Sequence, residues 1–212
     1  MATSQLDFTK LKNEYYGLRH GFSKANELNL IVSDPRIGCE NYGLTDLGKS
    51  QAKQAAEEFF NQVQEGSVVI YSSDFLRTRE TSENFVSRLK EISTKLDIHI
   101  IETPLLRERY FGDMEGKSSD NYEIIWKLDE KEVHETEFNT EPVPKVLNRI
   151  SNLILEVESD PIPSRHIIFV SHGDALQILQ TAFCDTPSSK HRSLPHWSQG
   201  EIKKLSKNIV QG

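Results

Sequence analysis

The alternation of apolar and polar positions along the chain predicts a repeating unit of strand, loop and helix. "EYYGL" at 14–18 reads as a short strand that delivers Arg19 and His20 at its carboxyl end, after a polar, aperiodic lead-in over 1–13. A loop containing Asp34, Pro35 and Gly38 follows. "LTDLGKSQAKQAAEEFFNQV" then places Ala52, Ala55, Ala56, Phe59, Phe60 and Val63 on one helical face, with Thr45 as its N-cap. "SVVIYSS" is a second strand, and Thr81, Phe85, Leu89, Ile92 and Leu96 recur at near-helical spacing after it. "DIHIIET" reads as a third strand. The clearest amphipathic helix carries Val143, Val146, Leu147, Ile150, Leu153, Ile154 and Val157. "HIIFVSHG" is a fourth strand, apolar without interruption as suits a strand covered on both faces. A last helix carries Ala175, Ile178, Leu179, Ala182 and Phe183, and "GEIKKL" adds an edge strand.

Strands that alternate with helices imply right-handed crossovers and a mainly parallel sheet, so the fold class is α/β, three layers with helices on both faces. Ligands of such folds bind outside the carboxyl ends of the strands. That rule brings together "RHG" after the first strand, "SSDFLR" after the second, "LLRER" after the third and "SHGD" after the fourth. No Pro/Gly/Ser-rich linker interrupts the interior, and residues 1–212 are read as a single domain.

Composition narrows the ligand. With 36% hydrophobic and 27% charged residues the chain has the make-up of a soluble globular protein, and its formal charge of −7 argues against nucleic acid or an anionic membrane surface as a partner. An anionic ligand must therefore meet a local positive cluster. Cys39 and Cys184 form neither a disulfide framework nor a zinc spacing, and no apolar run approaches the roughly 18 residues of a membrane span. The expected location is the cytoplasm, and the oligomeric state is left open.

His20 and His172 occupy equivalent places, each after an apolar strand and each followed by glycine. Arg19 adjoins the first, and Arg77 stands at a strand-to-helix junction where backbone N–H groups also favour an anion. The planar guanidinium forms bidentate hydrogen bonds to phosphate oxygens, which makes phosphate the natural ligand. Glu108 adds a carboxyl group that, kept protonated by burial, could donate a proton to a departing alkoxide. Each residue also has a plainer reading. His20 alone could be a buried strand-end residue, and Glu108 between Arg107 and Arg109 could belong to a surface ion-pair ladder. Asn26 and Ser23 could cap the backbone, and Gly21 and Gly173 could serve only a tight turn. Arg36, Arg107 and Arg109 are further candidates for the remainder of an anionic substrate. His99, His134, His166, His191 and His196 show no metal-ligand spacing, "LDEKEVHETE" reads as a solvated acidic surface segment, and the basic tail from "SKHR" onward is assigned no function.

Taken in order, "RHGFSKAN", "LTDLG", "SSDFLRTRET", "LRERYFGDMEG" and "SHGD" resemble the motifs of the histidine phosphatase superfamily, which includes cofactor-dependent phosphoglycerate mutases and the bisphosphatase domains of fructose-2,6-bisphosphate metabolism. The resemblance covers most of the chain and implies a phosphoglycerate mutase-like fold. It implies His20 as the nucleophile, Arg19, Arg77, Asn26 and His172 around the phosphoryl oxygens, and Glu108 as proton donor, with Ser23 and Gly173 among the substrate contacts. It implies no metal and no cofactor. The region of the mutases' basic insertion here runs "GKSSDNYEIIWKLDEKEVHETEFNTEPV" and is acidic. The family's "GES" box appears as "NTEP", with Glu141 in its place. The expected activity is hydrolysis of a small phosphorylated metabolite through a phosphohistidine, the alternatives being a phosphoglycerate mutase and a non-catalytic phosphate-binding or scaffolding relative.

Overall fold

The computed structural model describes residues 6–131, 137–162 and 165–206. The elements in chain order are β1 (Glu14–Arg19), α1 (Lys24–Glu27), α2 (Pro35–Gly38), α3 (Asp46–Phe60), β2 (Gly66–Ser72), α4 (Leu76–Ile92), β3 (Leu96–Glu102), α5 (Tyr122–Asp129), α6 (Val143–Ser159), β4 (His166–Ser171), α7 (Gly173–Phe183) and β5 (Ile202–Lys204). Several 3₁₀ turns lie between them, among them Ser188–Ser193. The sheet runs β3-β2-β4-β1-β5, parallel except for β5, which pairs antiparallel with the outer edge of β1.

Period-two alternation along the central strands divides the core between the two sheet faces. Tyr15, Val69, Ile167 and Phe169 face α6 and α7, in a cluster that also holds Trp197 and Ile150. Tyr16, Leu18, Val68, Ile70, Ile168 and Val170 face the other way, against Phe59 of α3 and Phe85 and Leu89 of α4. The result is the expected three-layer arrangement, and β4 is buried along nearly its whole length. Leu96, placed by its spacing on the second helix, instead opens β3, because α4 ends at Ile92. The short helix α2 replaces the expected loop at 35–38, with the Asp34 side chain accepting the Arg36 N–H as its N-cap.

The strand register positions the chemistry. Arg19 of β1 lies opposite Ser171 of β4, and the His20 N–H donates to the Ser171 carbonyl. The next residues on the two strands, His20 and His172, therefore leave the sheet side by side. Two glycines then press α3 onto the loop after β1. A Cβ on Gly21 would strike the Gly48 backbone, and one on Gly48 would strike the Phe22 backbone. The Phe22 N–H donates to Gln51 Oε1 (2.7 Å), the Thr45 hydroxyl to the Phe22 carbonyl (3.0 Å), and the Gly21 N–H to Thr81 Oγ1 (3.1 Å). Helices α3 and α4 thus clamp the loop that carries His20.

Candidate active site

The ends of β1, β2 and β4 and the segment after β3 surround a cavity of about 410 Å³ lined by Arg19, His20, Arg77, Glu108 and Gly173. His20 is almost fully buried. Its Nδ1 faces the Gly21 carbonyl at 2.8 Å, which fixes the proton on Nδ1 and leaves the Nε2 lone pair as acceptor for the Arg77 Nε–H at 3.2 Å. Burial first, then the charges of Arg77 and Arg19, hold the imidazole well below its ordinary pKa. The ring is neutral, and its Nε2 lone pair is chemically able to attack an electrophile once the Arg77 hydrogen bond is given up.

His172 lies with its ring centroid 5.2 Å from that of His20. Its Nδ1 accepts from Arg77 Nη2 (3.0 Å) and Nε (3.2 Å), and its Nε2 lies 3.0 Å from Ser73 Oγ. Arg77 spends its other donor on the Val32 carbonyl (2.9 Å), which leaves Nη1 buried without a partner. Arg19 holds the Trp197 carbonyl with Nη1 (2.5 Å), and its Nε is likewise buried and unpaired. Removal of both guanidinium groups from water lowers their pKa, desolvation being the largest cause. Two buried, unpaired charged donors on residues that line one cavity cost free energy that an anion bonding to them would recover. Gly173 keeps the space open, since a Cβ there would stand 3.1 Å from Arg19 Cζ.

Glu108 is enclosed, with Oε1 accepting the N–H groups of Arg109 (3.0 Å) and Ala175 (3.3 Å). Burial and the nearby Asp174 carboxylate raise its pKa to about 7 against the opposing pull of Arg77. The ion-pair ladder does not form. Arg107 is bidentate to Asp74, and Arg109 pairs with Asp129 (2.6 and 2.7 Å) and lies 3.4 Å from Asp174. Neither these arginines nor Arg36, whose exposed side chain holds Asp34, lines the cavity. Glu141 bonds Arg149 instead of reaching the site.

Ser23 and Asn26 both line the cavity, yet they also form a capping box on α1. Asn26 Oδ1 accepts from the Ser23 N–H (3.0 Å) and hydroxyl (2.9 Å), so the capping reading describes their bonding. Ser23 has no exposed surface.

The far wall was not read from the sequence. Tyr122 and Trp126 stack with centroids 5.3 Å apart, one turn apart on α5, and the i, i+4 aromatic spacing was the available signal. Asp129, read as part of a solvated segment, is instead nearly buried against Arg109, while positions 132–136 of that segment lie outside the described residues. Arg192 and His196, from the tail given no function, also line the cavity.

The model of the histidine phosphatase superfamily (branch 1) matches residues 16–208. The chain belongs to this family. Among curated relatives of the superfamily, a 2,3-bisphosphoglycerate-dependent phosphoglycerate mutase of Bartonella henselae is 24% identical over 175 residues, covering 76% of this chain and 77% of that enzyme. A fructose-2,6-bisphosphatase TIGAR of Xenopus laevis is 30% identical over 114 residues, covering 52% of this chain and 36% of that protein. Among solved structures, a mycobacterial glucosyl-3-phosphoglycerate phosphatase complexed with VO3 superposes with a TM-score of 0.70 at 24% identity, covering 91% and 92% of the two chains. Histidine phosphatase superfamily enzymes of both kinds, phosphatase and mutase, are therefore similar to this one. No helix among the described residues is long and apolar enough to cross a membrane.

Proposed function

We propose that the protein is a phosphatase acting on a small phosphomonoester through a phosphohistidine on His20. The observation that carries the reading is the neutral His20 imidazole, its Nε2 lone pair set beside the unpaired guanidinium donors of Arg19 and Arg77. A phosphoryl group entering between the arginines takes the Arg77 hydrogen bonds that the two histidines now hold, which releases the His20 lone pair. Nε2 attacks phosphorus in line, the bond from phosphorus to the ester oxygen breaks, and Glu108, protonated up to a pKa of about 7, gives its proton to the departing alkoxide. Water then attacks the phosphohistidine and passes a proton to the Glu108 carboxylate, and the phosphorus–nitrogen bond breaks to free phosphate. Arg19 and Arg77 stabilise the equatorial oxygens, and His172 adds a hydrogen bond as its Nδ1–H tautomer once Arg77 turns to the phosphoryl group, so the scheme draws its positive charge from side chains and needs no metal ion.

The reading favours hydrolysis because the described part of the segment after Glu108, the place of the mutases' basic insertion, presents Ser119, Tyr122 and Trp126 to the cavity. The second reading is a phosphoglycerate mutase, supported by the names of curated relatives at 21–26% identity. Incubation with 3-phosphoglycerate and 2,3-bisphosphoglycerate separates the two. Free phosphate is the expected product, unaffected by EDTA. Rapid formation of 2-phosphoglycerate without phosphate release would establish the mutase instead. Acid quench should trap an acid-labile, base-stable phosphoprotein that His20→Ala lacks, and its absence from the wild type during turnover would remove the covalent route.

A further inference from the structure

Most arginines among the described residues have a carboxylate partner. Arg36, Arg88, Arg107, Arg109, Arg149 and Arg165 each pair with a carboxylate. Of the rest, Arg79 donates to the Cys39 carbonyl, and Arg19, Arg77 and Arg192 all face the one cavity. The phosphoryl site accounts for the first two of these three. Arg192 stands apart from them on the 3₁₀ turn Ser188–Ser193, with the His196 ring between it and Arg19. The two ring nitrogens lie 3.2 Å from Arg19 Nη1 and 3.5 Å from Arg192 Nη1.

The Arg192 guanidinium is held in place rather than free in solvent. Its Cζ lies over the Trp126 ring, 3.6 Å from the centroid, and Nη1 donates to Gln177 Oε1. Its Nε and Nη2 have no hydrogen-bond partner among the described residues, so the edge of the fork is available to an oxyanion. The acids that act on it, Asp174 and Glu123, form no ion pair with it and have other partners. Asp174 is close to Arg109, His191 and Trp126, and Glu123 stands 4.0 Å from Lys127. Burial and the two flanking arginines depress the His196 pKa to about 4, which makes the ring an uncharged neighbour of Arg192.

We propose that Arg192, clamped by Trp126 and Gln177 beside His196, binds a second anionic group of the substrate, so that the preferred phosphomonoester carries a further carboxylate or phosphate. The inference rests on assigning the phosphoryl group to Arg19, His20 and Arg77. It makes Arg192 a specificity residue and gives the substrate an anion at each end of the cavity.

The test compares 3-phosphoglycerate with glycerol 3-phosphate, which differ by a carboxylate in place of a hydroxymethyl group. Steady-state kinetics are measured in the wild type, Arg192→Gln and Arg192→Lys, and calorimetric binding of both ligands is measured with and without Arg192→Gln in a His20→Asn background. The carboxylate-bearing ligand should be preferred. Arg192→Gln should cut that preference about tenfold or more, chiefly through KM, the size of one hydrogen bond between charged groups, and Arg192→Lys should keep part of it. Equal affinity of the two ligands for the unsubstituted wall would overturn the proposal. So would an equal loss for both in Arg192→Gln, which would mark Arg192 as a support for Trp126. Loss of turnover with the binding preference intact would remove the phosphatase reading alone.

Discussion

Glu108 shows how a side chain's surroundings decide its chemistry. In water a glutamate is ionised at neutral pH; here burial, aided by Asp174, raises it to about 7. The acid form is complete below that pH and is lost as pH rises through it, so kcat for an alkyl phosphate should decline above about pH 7. His20 is shifted downward and stays neutral through 6.5, so no loss of rate from its protonation belongs near that value. In Glu108→Gln the alkaline decline should vanish together with about 10²–10⁴ of the rate on an alkyl ester. A p-nitrophenyl ester should lose much less, because a nitrophenolate departs without a proton. An alkaline limb that persists in Glu108→Gln, or equal losses on the two esters, would show that another group supplies the proton.

At the scale of elements, the site depends on how closely α3 and α4 approach the loop after β1. Gly48, on the first turn of α3, lies against the Phe22 backbone with no room for a methyl group. Gly48→Ala must push helix and loop apart. Overpacking of this kind costs typically 1–3 kcal/mol, read as a lower urea midpoint. Because the displaced loop carries His20, kcat should fall as well, whereas a substitution on the exposed face of α3 should change neither. An unchanged midpoint and kcat in Gly48→Ala would mean that the contact is soft. That "RHG" ends a strand and "LTDLG" opens a helix was legible in the sequence, because each adjoins an element whose period is strong; the contact between them was not. The same holds for Arg77, Glu108 and His172 and for the sheet itself. The distal wall was not legible. Arg192 and His196 reach the cavity from a 3₁₀ turn and the irregular chain after it, which carry no period, and α5 is only two turns long. For Ser23 and Asn26 the sequence left capping and ligand contact both open, since a side chain that closes a helix start and one that faces a ligand use the same residue types.

Across the molecule, one buried charge network ties the wall to the acid. Arg109 is 1% exposed and joins the segment after β3 to Asp129 at the end of α5 and to Asp174 in the first turn of α7, where His191 of the following 3₁₀ turn also stands 3.3 Å away. Burial alone would raise Asp174; His191 and Arg109 outweigh it and keep the carboxylate charged. That fixed negative charge is in turn the second cause of the raised Glu108 pKa, so stability and proton supply share a residue. Arg109→Met strands two buried carboxylates, and loss of one partner from a buried pair typically costs about 3–5 kcal/mol. The urea midpoint should drop accordingly, and α5 should loosen, with KM rising as Tyr122 and Trp126 shift. Asp174→Asn separates the two effects. It leaves Arg109 its Asp129 partner, so its stability loss should be the smaller, while Glu108 loses the charge that raises it. The alkaline limb of the alkyl phosphate profile should then move below about pH 7. A limb that stays in place in Asp174→Asn would assign the Glu108 shift to burial alone.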